Sequence, residues 1–305
     1  MRKQALSRVS NQSDVAVWRK LLSGSRLRIA QAVAEITAAG LTDEYADRLL
    51  KARRRHARCE RHWLWLINFN TPYTERERRS ALLALTALWG VLGRELAMAL
   101  DPKASHFDRE PAHKALVRRH DQRAVKVLIN ALLDDSALED WQCISTLGSL
   151  GDAQAADGLM AYLGMDSTVD RPVSRILEFG IEVGHALRML NSPNALTHIE
   201  TALNGSLARQ RTGAALALGG WGEERLAVLL SPLFEDDNPQ VRLAVVMAAG
   251  ELKASESTLP LRSAVADPDP QVRAAAEGAL QQVLASTAKR SIRTSRMQPI
   301  GIGQR

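Results

Sequence analysis

Cysteine and aromatic residues are scarce in this chain. It has 2 cysteines among 305 residues, so a disulfide framework is excluded and a reducing compartment, the cytoplasm, is expected. Aromatic side chains make up only 4% of the sequence, whereas 46% of it is hydrophobic. The core is therefore expected to consist mainly of leucine, alanine and valine, which suits closely packed helices.

Long apolar runs are missing as well. Basic Arg2 and Lys3 are not followed by an apolar stretch of about 7–15 residues, so no secretory signal is predicted. The longest nearly uncharged segment covers residues 80–93. Because a bilayer-spanning helix takes about 20 apolar residues, we predict a buried helix there and no transmembrane segment.

Motifs that mark common active sites are also absent from the sequence. It has no Gly-rich phosphate loop, no Gly-x-Ser-x-Gly motif and no Cys-x-x-Cys pair. Within residues 56–62 the two histidines lie about 120° apart around a helix, too far to share one metal ion. Three further histidines recur every seven residues, but Pro111 is expected to interrupt the helix that would align them. These are His106, His113 and His120. We therefore predict a protein that is not an enzyme and that holds no metal and no cofactor.

Charge is distributed unevenly along the chain. Residues 1–135 hold 25 Lys or Arg against 15 Asp or Glu, a net charge of +10. Residues 136–285 hold 10 against 19, a net charge of −9, and residues 286–305 hold 5 against 0, a net charge of +5. This asymmetry predicts different partners for the two parts, or a basic tail that docks on an acidic neighbour.

The most distinctive feature present is a repeat of 31 residues. Residues 236–242 read Asp-Asp-Asn-Pro-Gln-Val-Arg, and residues 267–273 read Asp-Pro-Asp-Pro-Gln-Val-Arg. The alanine-rich residues 211–219 and 242–250 match at the same offset. A fixed period of this length is typical of a stacked repeat array. The apolar spacing within residues 226–234 indicates one face of a helix, so the repeats are expected to be helical.

Each repeat also contains signals for the start and the end of a helix. An Asn or Asp is suited to cap the helix, and the proline that follows it suits the first helical position. Gly219 and Gly250, late in the alanine-rich stretches, are expected to turn the chain with a positive φ. The structural positions of the repeat are Pro239, Arg242, Pro270 and Arg273.

Arginines in the same register form a predicted ladder along the array. They are Arg211, Arg242 and Arg273. A stacked array would place them one repeat apart, next to the acidic turn of a neighbouring repeat. We expect each arginine to pair with such a turn, and the alternative is a ladder that binds a ligand.

The acidic turn, the Pro-x-Val-Arg segment and the alanine-rich stretch together resemble HEAT repeats. The resemblance is to the short bacterial HEAT-like repeats of the phycobilisome-lyase type, over about residues 121–284. It implies stacked helix pairs and a habit of binding proteins, but no reaction. The sequence has no His-Glu dipeptide, so the iron-binding motif of HEAT-type deoxyhypusine hydroxylases is absent and that activity is not expected.

The predicted fold class is therefore all-α, a right-handed α-solenoid of stacked HEAT-like helix pairs with a helical N-terminal region. The expected divisions are a basic helical region at residues 1–120 and a HEAT-like array at residues 121–285, with its period clearest at residues 186–284. A basic, disordered tail is expected at residues 286–305.

A basic helix face is predicted in the N-terminal region. One helix should cover residues 25–39 and stop at Gly40, and a second should begin near Thr42. On the second helix the basic side chains fall within an arc of about 140°. This face suits an acidic protein, nucleic acid or an anionic membrane surface, or is a solvated face. Its residues are Arg48, Lys51, Arg54, Arg55, Arg58 and Arg61.

Three functions from different classes fit these observations. The first is a non-enzymatic scaffold or adaptor that uses the repeat array for protein–protein interaction. The second is a nucleic-acid-binding HEAT-like protein that uses the basic helix at residues 48–61, of which the HEAT-like DNA glycosylases are the enzymatic extreme. The third, implied only by the resemblance, is a bilin lyase or chaperone.

Overall fold

Helices account for all the regular structure that is described. A computed structural model describes residues 11–55, 75–101, 106–133, 140–165, 172–192 and 194–297, and these contain no strand. The chain forms two compact units, residues 1–150 and residues 151–305. The predicted all-α fold of helical repeats is confirmed.

The first unit consists of helices that pack mainly on their neighbours in sequence. Ser25 caps the second helix by accepting a bond from the backbone N–H of Arg28, and Gly40 turns the chain with a φ of 69°. The two predicted N-terminal helices therefore form at the predicted positions. The helices are α1 Asn11–Leu21, α2 Arg26–Ala38, α3 Thr42–Arg55, α4 Glu75–Ala99, α5 His106–Arg119, α6 Gln122–Leu133 and α7 Asp140–Leu150.

The most apolar helix of this unit is α4. Its part Arg79–Ala99 is long and apolar enough to cross a membrane by length and composition alone, and 44% of that apolar window is buried. The buried residues include Leu85, Leu92 and Leu96, and the helix contacts α2, α3 and α5. Gly90 interrupts the helix with a φ of 62° and a ψ of −139°. Core helices of globular proteins meet the same test, so the segment is weak support for a membrane span.

The second unit contains the repeats as pairs of helices. The first helices of successive pairs, α9, α11, α12 and α14, pack in that order, and shorter second helices lie between them in sequence. In helix α11 every residue from Thr212 to Trp221 is buried. The elements are α8 Ala155–Tyr162, α9 Val173–Leu190, α10 Ala195–Leu203, α11 Ala208–Trp221, the 3₁₀ helix η1 Glu224–Glu235, α12 Pro239–Leu252, η2 Ser255–Ser257, α13 Thr258–Ala264 and α14 Pro270–Met297.

The helix starts follow the repeat motif. Asn238 caps α12 by accepting a bond of 2.9 Å from the backbone N–H of Gln240, and Pro239 is the first helical residue. Asp269 accepts the equivalent bond at α14, at 2.8 Å, ahead of Pro270. Proline fits this position because its missing N–H would have no partner in the first turn.

The helix ends differ from the prediction for Gly219 and Gly250. Both glycines lie inside helices, and the positive φ angles belong to Gly222, at 75°, and Lys253, at 53°. A Cβ added at Gly219 would lie 2.7 Å from the Cα of Ala248 in the next helix. These glycines therefore let successive first helices approach closely, and the expected role in the turn was wrong.

Two further segments differ from their predicted structure. The apolar stripe at residues 226–234 forms η1, a 3₁₀ helix with Pro232 inside it. Residues 286–297, expected to be disordered, continue α14 as a helix. Arg290 anchors this extension because it pairs with Glu224 and donates a bond of 2.6 Å to the backbone oxygen of Lys253. The remaining residues of the predicted tail lie outside the described part of the chain.

Candidate functional site: the arginine–aspartate ladder and the second helices

The first rung of the ladder joins two successive repeats. Arg211 donates from Nε to Asp236 Oδ2 at 2.6 Å and from Nη2 to Asp236 Oδ1 at 2.9 Å. Its third nitrogen, Nη1, donates to the backbone oxygens of Gly205 at 2.9 Å and Ser206 at 3.2 Å. The arginine therefore ties the turn before its own helix to the turn before the next one. This bidentate geometry is the stronger form of an arginine–carboxylate pair.

The second rung reproduces the first one repeat later. Arg242 donates to Asp267 from Nε at 2.7 Å and from Nη2 at 2.9 Å. Its Nη1 donates to the backbone oxygens of Asp236 at 2.7 Å and Asp237 at 3.3 Å. The side chain of Asp267 is only 7% exposed. The pairing with an acidic turn that the register predicts thus forms at Arg211 and Arg242.

Both aspartates titrate at lower pH than free carboxyls. The hydrogen bonds from Arg242 lower the pKa of Asp267, and they outweigh burial, which acts in the opposite direction. At Asp236, burial acts to raise the pKa, but the bonds from Arg211 and from the Asn238 N–H together outweigh it and the pKa is lowered. Both carboxylates are therefore charged at neutral pH, and both arginine–aspartate pairs are formed there.

The third arginine, Arg273, forms only half of a rung. Its Nη1 donates to the backbone oxygens of Asp267 at 2.7 Å and Pro268 at 2.9 Å, as the other two arginines do with their own turns. No carboxylate within the described ranges pairs with Arg273. Within the described residues the ladder therefore ends with an arginine whose Nε and Nη2 edge has no acidic turn beside it.

Exposed aliphatic residues recur at one register on the second helices. Val228 on η1 is 63% exposed and Leu259 on α13 is 74% exposed, and they are 31 residues apart. Thr197 occupies the same position on α10 and is also exposed. We call these three residues the second-helix face. Sequence reasoning missed it because it followed only the apolar residues at helical spacing within residues 226–234, and Val228 lies outside that spacing.

The predicted basic face of α3 is only partly described. Arg48 lies over two aromatic rings, 5.0 Å from the centroid of Trp18 and 5.2 Å from that of Tyr45, and it is 3.7 Å from Glu44. Trp18 and Tyr45 are buried, so Arg48 covers part of the core edge through cation–π contacts. The α3 backbone includes Lys51, Arg54 and Arg55, whose side chains are outside the described set, and Arg58 and Arg61 lie outside the described residues.

The side chains of two members of the predicted histidine row, His113 and His120, are described, and they have different partners. Helix α5 continues through Pro111, so the expected interruption was wrong. A proline at the sixth helical position removes one backbone bond near the start, and the later turns keep theirs. His113 is buried with Nδ1 2.8 Å from Thr146 Oγ1, whereas His120 has Nδ1 3.1 Å from the Leu150 oxygen. In the part of the chain that is described, no group of three potential ligands is placed to hold a metal ion.

Comparison with known proteins agrees with this architecture. Residues 196–281 match the family model described as HEAT repeats, and the predicted resemblance to HEAT repeats is confirmed. No curated protein sequence matches the chain. Among solved structures, human deoxyhypusine hydroxylase is similar at 18% identity over 81% of this chain and 99% of that chain, with a TM-score of 0.31. An engineered protein is similar at 14% identity over 92% of this chain and 81% of that chain, with a TM-score of 0.34.

Proposed function

We propose that this chain is a non-enzymatic HEAT-repeat scaffold in the cytoplasm that binds a protein partner through its second-helix face. The observation that carries the proposal is the pair Val228 and Leu259, both largely exposed and one repeat apart. Contiguous exposed apolar patches mark protein–protein contact surfaces, and two large aliphatic side chains at the same register of adjacent repeats would contribute to such a patch. A buried free thiol, Cys143, fits a reducing compartment.

The ladder supports the proposal because it fixes the spacing of that surface. Neighbouring packed helices are about 8–10 Å apart, and an extended peptide covers that distance in about three residues. Each rung holds one turn against the next, so the two aliphatic side chains keep a constant separation. A partner segment with aliphatic residues about three positions apart would therefore match Val228 and Leu259.

The test is partner capture with matched variants. Three purified proteins serve as baits: the full chain, a Val228→Lys/Leu259→Lys variant and a Met189→Lys variant. The proteins that each bait retains are quantified by mass spectrometry. Met189 is the control because it is 58% exposed but lies on a first helix. We expect one partner to be retained by the wild type and by Met189→Lys and to be lost from the double variant. Circular dichroism of all three proteins checks that the fold is unchanged.

Two results would contradict the proposal. Retention that does not depend on Val228 and Leu259 would remove the second-helix face as the binding surface. A partner-independent reaction of the purified chain would contradict a non-enzymatic scaffold. Neither the nucleic-acid alternative nor the bilin-lyase alternative gains an observation of its own from the residues described.

A further inference from the structure

The outer face of α14 is exposed and carries polar residues, unlike the equivalent face of α12. On α12, Val246 and Gly250 are buried where the next repeat packs. The equivalent residues of α14, 31 positions later, are Glu277 and Gln281, and both are exposed. Terminal repeats with a polar outer face are typical of the ends of solenoids. The array of described repeats therefore stops at α14, whose exposed face carries Glu277 and Gln281 beside the exposed Leu284.

Arg273 stands on this terminal helix with its side chain already oriented. The two bonds from its Nη1 to the backbone oxygens of Asp267 and Pro268 repeat those that position Arg242. In both complete rungs the remaining edge, Nε and Nη2, holds an aspartate. Helix α14 continues to Met297, about 36 Å along its axis from Arg273, so no further helix pair supplies that aspartate within the described residues.

We propose that the Nε and Nη2 edge of Arg273 is a docking point for a single aspartate carboxylate of a partner protein. This inference rests on the proposed scaffold function and adds the chemistry of one contact. The same molecule binds this ligand twice, at Arg211 and Arg242, with both carboxylate oxygens engaged. Because Nη1 is already held by backbone oxygens, little side-chain entropy remains to be lost when the carboxylate binds.

The two occupied rungs also define the shape of the ligand. Asp236 accepts a bond of 2.9 Å from the backbone N–H of Asn238, and Asp267 accepts one of 2.8 Å from that of Asp269. Each bound aspartate therefore begins a tight turn that leads into a proline-started helix. The matching partner segment is an aspartate in a turn of the type Asp-x-Asn-Pro or Asp-x-Asp-Pro.

Two neighbouring features narrow the choice of partner. A second copy of this chain does not fit, because its own Asp236 and Asp267 are already bound by arginines. Glu277 lies one helical turn after Arg273 on the exposed face, and a like charge at that distance repels an acidic run. The partner is therefore a different protein that presents an aspartate in a turn of this type outside a long acidic run.

The experiment is a titration followed by NMR of the full chain with ¹⁵N-labelled arginine. The probe is the peptide acetyl-Asp-Asp-Asn-Pro-Gln-amide, and the matched control peptide has Asn in place of its first Asp. The Arg273 Nε–H signal is assigned by its loss in Arg273→Lys. We expect this signal to shift with the Asp peptide, with a midpoint on the order of 100 mM because one exposed pair is weak. Glu277→Gln is expected to lower the midpoint about twofold.

Several results would overturn the inference. The first is that the Arg273 signal does not shift with the Asp peptide. The second is that the Arg211 and Arg242 signals shift as much as the Arg273 signal does. The third is that inorganic phosphate, at the same concentration of charge, shifts the Arg273 signal more than the Asp peptide does. Partner capture separates this inference from the proposed function. If Arg273→Lys retains the partner as well as the wild type does, the scaffold stands and the docking point is wrong.

Discussion

The rung between Arg242 and Asp267 is expected to stabilise the repeat unit by a measurable coupling energy. Arg242→Gln leaves a carboxylate that is 7% exposed with a single remaining bond, from the Asp269 N–H. Leaving a mostly buried charge without its partner costs about 3 kcal/mol. Asp267→Asn is expected to lower the free energy of unfolding by only about 1–2 kcal/mol, because Arg242 keeps its bonds to the backbone oxygens of Asp236 and Asp237.

The double variant Arg242→Gln/Asp267→Asn isolates the pair itself. We expect it to cost about 2 kcal/mol less than the sum of the single changes, within the range that contacting residues show. Arg273→Gln is the matched control, because this arginine has the same two backbone bonds but no carboxylate within the described ranges. It should cost less than about 1 kcal/mol.

Urea unfolding followed by circular dichroism gives the free energies, and hydrogen exchange measured by mass spectrometry shows where protection is lost. In the Arg242→Gln and Asp267→Asn variants we expect the backbone amides of the turn before α14 to exchange faster than in the wild type. A coupling energy below about 0.5 kcal/mol, or an equal cost for Arg242→Gln and Arg273→Gln, would refute the view that the bidentate pair fixes the repeat spacing.

Three other predictions follow from the same structure. The folded pKa of Asp267 lies below its ordinary value of 3.8, so its contribution is present above about pH 4 and is lost as the pH falls through the folded pKa. Below about pH 4, the free energy of unfolding of Asp267→Asn should therefore fall less steeply with decreasing pH than that of the wild type. Gly219→Ala should destabilise the fold by about 1–3 kcal/mol because the new Cβ would meet Ala248. The control Gly278→Ala, with no atom within 4 Å, should stabilise it by about 0.5–1 kcal/mol in thermal unfolding. In fluorescence anisotropy with labelled DNA and RNA at roughly 50 and 200 mM salt, no tight, salt-sensitive binding is expected; such binding would favour the nucleic-acid alternative.

The sequence predicted those parts of the fold that depend on local chemistry repeated at a fixed interval. The capping Asn238 and the proline after it mark a helix start by rules that involve only neighbouring residues. The pairing of Arg211 with Asp236 followed from the same interval, because residues one repeat apart become neighbours in a stack.

Glycine positions were harder to interpret, because two different constraints select glycine. A positive φ and a close helix approach both require a missing side chain, and the sequence around Gly219 does not separate them. The turn itself falls three residues later at Gly222, and at Lys253 in the next repeat. The left-handed backbone at a lysine has no signal in a single sequence.

The extension of α14 was missed because its anchor is remote. Arg290 meets Glu224, which is 66 residues away in the chain, and composition alone describes the region as basic and polar. The second-helix face was missed for a related reason. Val228 lies outside the apolar spacing that indicated a helix face at residues 226–234, and that spacing carries no signal for an exposed aliphatic residue beside it.

The forward direction of the rungs determines where this chain can be shortened or lengthened. Each arginine reaches the aspartate that opens the next repeat, so a segment of 31 residues that begins at such an aspartate can be removed or duplicated in register. Removing residues 236–266 would bring Asp267 to Arg211, with Arg273 still at the end. Duplicating the same 31 residues would add one complete rung. A cut placed between an arginine and the aspartate that it binds 25 residues later, without a compensating cut at the same register, would leave two half-rungs instead.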